Sequence, residues 1–195
     1  EHASQAGQAI VEAGGNAFDA AVATAINLIH SHPLMTSICG GGYAAVKAPG
    51  KVPHIVDFFD VMPGKGLPKE KFGQNMMVVN LAYGPGIDVI AGHASAGVPG
   101  TVKGLDYILK EYGTMPMSEV VQPTIDDARN GVPLNKTIAS WLQISAEKLH
   151  WYTPYGKELM STEDGQIPEE GYLMKNPDFA KTLEALGKEG EGLIY

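Results

Sequence analysis

The sequence predicts an α+β fold on the basis of three observations. Apolar residues recur at helical spacing between Ala3 and Ala13, which indicates a first helix. The alanine-rich run at 17–30 is apolar on most sides, as expected of a helix buried within a fold. Two runs rich in β-branched and aromatic residues follow, at 43–47 and 54–60, and indicate two strands of a hairpin. The order helix, helix, strand, strand therefore combines helical and sheet layers in one chain.

Capping and turn residues mark the ends of these elements. The segment GGN at 14–16 supplies glycines for the end of the first helix and an asparagine cap for the second. Asn16, with Asp19 three residues later, resembles a capping box. Pro33 ends the second helix, and APGKVP at 48–53 forms the loop of the hairpin.

Further helices are predicted in the second half of the chain. One runs from Thr101 to Tyr112, and another lies around SEVVQPTIDDARNG at 118–131, where Pro123 marks a helix start or a kink. The following residues are expected to be rich in loops until an amphipathic helix at 176–190. No repeat and no linker is present, so residues 1–195 are interpreted as one unit without an internal boundary.

Composition and charge exclude several classes of function. The chain has 195 residues, of which 44% are hydrophobic and 18% charged, as in an ordinary globular protein. The net charge of −8 and the absence of any basic run argue against a nucleic acid or an anionic membrane as partner. The longest apolar stretch, 17–29, is too short to span a bilayer. Because Glu1 opens almost directly into a helical pattern, we expect the natural N-terminus to lie upstream.

The segment TSICGGGYAAVK at 36–47 raises the question of a phosphate-binding loop or a nucleophile. Both glycine-rich nucleotide motifs require a following helix, whereas Gly42 leads into Tyr43 and a strand-like run. A nucleophilic Cys39 would need a histidine and an orienting partner, so we interpret Cys39 as a small buried apolar residue. The histidines nearby fit equally well as helix-end or strand residues (His30, His32 and His54). No metal and no cofactor is predicted.

Several short blocks of the chain stand in a fixed order along its first 135 residues. They are GGNAFDAAVA at 14–23, HP at 32–33, GGGY at 40–43, VDFFDVMP at 56–63, ASAGVPGTVKGL at 94–105, YGTMP at 112–116 and VVQP at 120–123. Through these blocks the chain resembles the N-terminal part of the large subunit of the gamma-glutamyltranspeptidase family, and the resemblance covers nearly all of the first 135 residues. Residues 1–195 are accordingly interpreted as a partial large subunit of such a precursor.

The resemblance implies an N-terminal nucleophile hydrolase, in which this chain is part of a four-layer αββα sandwich completed by a second chain. In that family the precursor cleaves itself to expose a threonine. The threonine hydroxyl attacks the substrate amide while its own α-amine acts as base, and water or an acceptor amine resolves the acyl-enzyme. The threonine opens the small subunit in a Thr-Thr-His-like motif, which is absent here, so no catalytic residue is expected in this chain.

The same resemblance implies partners and a location. The partners are the small catalytic subunit from the same precursor and a small-molecule amide substrate of glutathione metabolism, and the heterodimer is compatible with a higher oligomer. No cofactor is implied. The location implied is periplasmic or extracellular, while the single cysteine is also compatible with the cytosol.

One departure from the family pattern concerns substrate choice. Members that act on gamma-glutamyl amides carry Asp-Phe-Arg-Glu or similar where this chain has DFFD at 57–60, and their arginine binds the α-carboxylate of the glutamyl group. Phe59 and Asp60 are therefore the substrate-binding residues that the resemblance implies, with an altered acyl specificity. In the alternative, Phe59 only packs in the strand, and Lys47, Lys65 or the missing half supplies a cation.

The glycine run at 40–42 is expected to have a steric role. The glycines at 40–42 are expected to let one strand pack closely beneath the site, where any Cβ would intrude, and Cys39 stands where the family usually has a further glycine.

Two other functions of the protein stay open. One is a degenerate, non-catalytic family member that acts as a binding or structural protein, and the other is an unrelated small-molecule binding protein.

Overall fold

The computed structural model describes residues 1–195, which form two compact units. The sequence analysis indicated no internal boundary, and none of the junctions carries a linker, because each unit is assembled from separate segments of the chain. The first unit comprises Glu1–Val61, Val98–Val132 and Met174–Tyr195, and the second comprises Met62–Gly97 and Pro133–Leu173.

Eight helices and six short strands make up the regular structure. The helices are α1 His2–Glu12, α2 Ala17–Ser31, α3 Thr101–Tyr112, α4 Met117–Val120, α5 Gln122–Asn130, α6 Lys136–Ser145, α7 Pro154–Leu159 and α8 Pro177–Glu189. The strands are β1 Tyr43–Val46, β2 His54–Asp57, β3 Met76–Leu81, β4 Ile87–Gly92, β5 Val132–Pro133 and β6 Leu173–Met174. They form three two-stranded sheets, β1 with β2, β3 with β4 and β5 with β6, and the first two sheets are antiparallel. No helix has the length and apolarity needed to cross a membrane.

The predicted start of α2 is confirmed as a complete capping box. The side chain of Asn16 accepts hydrogen bonds from the backbone N–H of Phe18 at 2.7 Å and of Asp19 at 3.1 Å. The carboxylate of Asp19 in turn accepts the backbone N–H of Asn16 at 2.7 Å. Three backbone amides at the helix start thereby gain acceptors, and the entry of the chain into α2 is set by local sequence.

Helices α1 to α5 and α8 enclose the core of the first unit. Its centre contains Val22 and Ile26 of α2, Val120 and Val121 around α4, and Leu183 of α8, all of them almost fully buried. Alanines at closely packed positions let the helices approach one another, as the alanine-rich run of α2 predicts. The helices at 3–13, 17–30, 101–112 and 176–190 are thus confirmed.

The predicted hairpin is also confirmed. Strands β1 and β2 pair antiparallel, in a register from Tyr43 opposite Asp57 to Val46 opposite His54. Ala44 and Val56 on one face pack against the helical core, while the opposite face is exposed. A two-stranded sheet with one covered face is the element that carries the candidate site.

The predictions for the remaining segments need correction. The helix expected at 118–131 is two helices, α4 and α5, because Pro123 lies in the first turn of α5 and starts a new helix. The segment after it is not rich in loops, since α6 begins at the cap Asn135, whose side chain accepts the N–H of Ile138 at 3.0 Å. Ile138 and Leu142 recur at helical spacing and are fully buried, a signal that the sequence carried. The hairpin of β3 and β4 was not predicted.

Candidate functional site

The candidate site lies where the chain leaves β2, at residues 58–60. Phe58 continues the pairing with the glycine run, since its N–H donates to the Gly42 carbonyl at 3.0 Å and its carbonyl accepts the Gly42 N–H at 3.2 Å. Beyond the site, the Val98 N–H donates to the Val61 carbonyl at 2.8 Å. The backbone that carries Phe59 and Asp60 is therefore held on both sides.

Glycines pack directly against this backbone. A Cβ on Gly41 would overlap the amide nitrogen of Asp60 and would lie 2.7 Å from the Phe59 carbonyl carbon. A Cβ on Gly100 would overlap the Phe58 carbonyl oxygen, and one on Gly104 would overlap the Phe58 ring. The steric role predicted for the glycine run is thus confirmed at Gly41, and two glycines at the start of α3 extend it.

The glycine run also joins the site to α3. The Gly40 carbonyl accepts the N–H of Gly100 at 2.8 Å and the N–H of Thr101 at 3.0 Å. These amides belong to the start of the helix, where backbone donors lack partners within the helix. The position of α3 is therefore tied to the same short segment that clamps Phe59.

Phe59 and Phe58 point in opposite directions. The Phe58 ring packs against the helical core, whereas Phe59 is 53% exposed. The Phe59 ring stacks on Tyr43 of β1, with ring centroids 5.4 Å apart and an angle of 17° between the planes. The Asp57 carboxylate accepts the Phe59 N–H at 3.0 Å and fixes the turn in the backbone at this point. Asp60 is half-buried, and neither Asp57 nor Asp60 takes part in an ion pair.

A groove of about 500 Å³ opens between β2 and α3, and Phe59 contributes to its wall. Lys103, Tyr107 and Lys110 follow one another at helical spacing along the α3 side of the groove. Lys110 forms an ion pair with Asp106 at 2.5 Å, and this hydrogen bond and the Asp106 charge raise the pKa of the Lys110 amine. Lys103 is paired with Glu191 at 3.8 Å. Both cations of the groove therefore have carboxylate partners.

The sequence analysis missed these two lysines and named others. Lys47, a suggested substitute for the family's arginine, donates instead to the Lys51 carbonyl at 2.8 Å within the hairpin loop. Lys65 belongs to the second unit. The spacing of Lys103 and Lys110 on a helix was visible in the sequence, but only the packing of β2 on α3 places them beside Phe59.

Cys39 is exposed, so the prediction of a buried apolar residue is wrong. It lies in a turn between α2 and β1, where its N–H donates to the Ser37 hydroxyl at 3.0 Å. The neighbouring Ile38 packs against the core in its place. His30 and His32 lie at the end of α2, as predicted, and the structure has no group of three or more His, Cys, Asp or Glu that could hold a metal ion.

Comparison with known proteins assigns these features to a family. The family model for gamma-glutamyltranspeptidase matches residues 3–195. The chain is 32% identical to the glutathione hydrolase proenzyme of Pseudomonas aeruginosa, over 100% of the chain and 33% of that protein. It is 29% identical to the acylase ACY 1 proenzyme of Pseudomonas sp. strain V22, over 99% of the chain and 34% of that protein.

The fold comparison agrees with the sequence comparison. The crystal structure of Helicobacter pylori gamma-glutamyltranspeptidase superposes with a TM-score of 0.82 at 31% identity, over 98% of the chain and 53% of that structure. The α+β arrangement of helices and small sheets is therefore shared with a solved member. The chain spans about a third of the length of the curated relatives it matches. Because the match extends over almost every residue in both sequence and fold, the chain belongs to the gamma-glutamyltranspeptidase family and corresponds to the N-terminal part of its large subunit.

Proposed function

We propose that this chain is part of the large subunit of an amidohydrolase or acyltransferase that cleaves an amide through an acyl-enzyme on a threonine of the other subunit. The relatives named as proenzymes, a glutathione hydrolase and an acylase, support cleavage of a precursor into two chains. The α-amine of the new N-terminal threonine would serve as base for its own hydroxyl. The residues of the present chain then bind and position the acyl group.

The proposal includes a four-layer αββα sandwich completed by the second chain. The β1–β2 sheet supports it, because helices cover only one of its faces. On the other face Tyr43 is 61% and Ile55 is 62% exposed. Large apolar side chains on a solvated sheet face are what a sheet presents when another layer packs on it.

We further propose that the preferred acyl group is not an ordinary glutamyl group. The observation that carries this proposal is the exposed ring of Phe59 at the position where the resemblance implies an arginine. A phenyl ring offers no hydrogen-bond donor to a carboxylate. Binding the glutamyl α-carboxylate without its counter-ion costs roughly 2–5 kcal/mol, by analogy with breaking a buried charge pair. A deficit of that size is enough to change substrate choice.

The pairing of the nearby lysines supports the proposal that this chain does not replace the arginine. Lys103 and Lys110 are the basic residues that line the groove with Phe59, and each is paired with a carboxylate. To bind a substrate carboxylate, either lysine would first have to give up that pairing. Asp57 and Asp60 are acidic and supply no counter-ion for the α-carboxylate either.

The test compares acyl groups on the complete mature protein that contains this chain. Turnover of a gamma-glutamyl anilide is measured against simple acyl anilides, in the wild type and in Phe59→Arg. We expect the wild type to prefer the simple acyl anilides, and Phe59→Arg to gain gamma-glutamyl activity. Phe72→Arg introduces the same chemical change on a part-exposed ring of the second unit, and we expect it to leave the preference unchanged.

Two outcomes would overturn the proposal. A wild type that prefers the gamma-glutamyl compound would show that another group binds the α-carboxylate. A mature protein with no turnover of any anilide, and with no threonine at the start of its second chain, would instead identify a degenerate family member with a binding or structural role.

A further inference from the structure

Tyr43 and Phe59 form a continuous aromatic surface. Their rings lie nearly parallel, 17° apart, with centroids separated by 5.4 Å. The two side chains remain 61% and 53% exposed, so this chain leaves more than half of each residue uncovered. A ligand on the stack would lie at this end of the sheet, between it and the layer that the second chain is proposed to add. Neither ring lies beneath a lysine, unlike the rings of Tyr112, Trp151 and Tyr195.

The backbone holds both rings in place before any ligand arrives. Tyr43 lies directly opposite Asp57 in the β1–β2 ladder, and the Asp57 carboxylate accepts the Phe59 N–H at 3.0 Å. On the other side of the chain, Gly41 packs so closely on Asp60 that no side chain fits there. A surface fixed in this way loses little conformational entropy when a flat group stacks on it.

The charges around the two rings select against anionic ligands. Asp57 and Asp60 lie in the same segment and form no ion pair. The Tyr43 hydroxyl is the only hydrogen-bond donor that the two side chains offer. The surface therefore suits a neutral, flat, apolar group and repels a carboxylate.

We propose that Tyr43 is a specificity-determining residue and that Tyr43 and Phe59 together bind a neutral aromatic acyl group of the arylacetyl class. This inference rests on the proposed function, because it takes Phe59 as part of the acyl-binding site. A third ring that packs offset on the stack, or edge-on against it, gains more than an alkyl group of the same size, by roughly 2- to 10-fold in affinity. Phe59 removes the preference for glutamyl, and Tyr43 adds a preference for an aromatic ring.

The experiment uses two substrates that differ only in aromaticity. Turnover of phenylacetyl and cyclohexylacetyl p-nitroanilide is measured on the complete mature protein, with the gamma-glutamyl anilide as a third substrate. We expect the wild type to favour phenylacetyl over cyclohexylacetyl by roughly 2- to 10-fold in kcat/KM. Tyr43→Ala is expected to bring this ratio close to unity, while Tyr43→Phe retains it. Tyr155→Ala, on an exposed ring of the second unit, should leave the ratio unchanged.

A binding measurement keeps the inference testable if Tyr43→Ala folds poorly. Phenylacetamide is expected to inhibit the wild type and Tyr43→Phe more strongly than cyclohexylacetamide does. Equal inhibition by the two amides, or a Tyr43→Ala variant that lowers turnover of both anilides alike, would overturn the inference. A wild type that rejects glutamyl but shows no preference for the aromatic ring would overturn only the role of Tyr43. A wild type that prefers glutamyl would overturn the proposed function itself.

Discussion

The Asp19 carboxylate binds Thr114 through both the backbone and the side chain of that residue. Its oxygens accept the Thr114 N–H at 2.9 Å and the Thr114 hydroxyl at 2.7 Å, and also the Met115 N–H at 3.2 Å. Asp19 is fully buried and completes the capping box with Asn16. Burial alone raises the pKa of this carboxyl, but the hydrogen bonds from Thr114, Asn16 and Met115 outweigh it and lower the pKa below the ordinary 3.8. One carboxylate thus joins the start of α2 to the loop after α3.

Replacing Asp19 by alanine is expected to destabilise the protein strongly. The substitution leaves several buried donors without an acceptor, at a cost of about 2–4 kcal/mol in the free energy of unfolding. Asp178→Ala is the matched control, because Asp178 also lies in the first turn of a helix, but its side chain is exposed and bonded only to Lys181. Thermal melting of the complete protein measures the difference. Equal melting temperatures for the two variants would contradict the role given to Asp19.

Acidification below pH 6.5 is expected to destabilise the first unit through His30. Burial lowers the pKa of this imidazole below 6.5, although a backbone hydrogen bond at Asp127 and the Asp127 charge act in the opposite direction. His2 lies near the same carboxylate and acts with the burial. Since the unfolded chain takes up a proton at higher pH than the folded one, the stability present above pH 6.5 is lost as the pH falls towards the folded pKa.

The measurement compares melting at pH 7.5 and pH 5.5. Wild type is expected to lose more stability than His30→Gln, with a slope of at most about 1.4 kcal/mol per pH unit for one proton. His93→Gln removes an exposed histidine and should retain the wild-type pH dependence. If His30→Gln melts with the same pH dependence as wild type, then the buried imidazole is not the group that titrates.

Sequence reasoning succeeded where the signals are local. The capping box of Asn16 and Asp19 and the proline in the first turn of α5 lie within a few residues of the element that they define. The steric role of Gly41 was also anticipated, because the nucleotide-binding motifs require a following helix and the glycine run leads into a strand. The bounds of α3 agree with the prediction from Thr101 to Tyr112.

The features that the sequence did not predict depend mostly on contacts between distant segments of the chain. Lys103 and Lys110 border the groove only because α3 packs on β2, and nothing near either lysine in the sequence indicates that approach. The bonds from Thr114 to Asp19 join residues 95 positions apart. Cys39 was expected to be buried because a free cysteine usually behaves as a small apolar residue, but the turn at this point packs Ile38 against the core instead. Burial alternates along β3 and β4, but their sequences MMVVNL and IDVIAG do not alternate between apolar and polar residues, so the hairpin left no period-2 signal in the sequence.

Gly41→Ala is expected to disturb the site far more than the same substitution at a glycine in open surroundings. The new methyl group would overlap the Asp60 amide, and a backbone contact relaxes only if the whole segment moves. We expect a loss of about 3 kcal/mol in stability, at the upper end for an overpacked site, together with a loss of turnover. Gly192→Ala is the control, because no atom lies within 4 Å of its added Cβ. A Gly41→Ala variant with wild-type melting and turnover would show that the backbone of Phe59 is not clamped.

Cys39→Ala is expected to retain activity. The thiol is exposed, no cationic side chain follows or precedes it within the segment SICGG, and the neighbouring glycine packing does not involve its side chain. Removing an exposed side chain usually changes free energies by less than 0.5 kcal/mol, so kcat/KM should stay within about twofold of wild type. A loss of turnover at unchanged melting temperature would restore Cys39 as a candidate nucleophile.

Residues 1–195 expressed alone are not expected to form a cooperative monomer. The β1–β2 and β3–β4 sheets have only two strands each, and β1–β2 depends on the helical core on one face for its stability. Both sheets expose large apolar side chains, among them Ile55 at 62% and Val78 at 69%. We expect aggregation or a broad thermal transition for the isolated chain, and a sharp transition when it is produced together with the rest of the protein. Sedimentation and calorimetry check both forms. A monodisperse isolated chain with a sharp transition would mean that the helical core holds these sheets without a second chain.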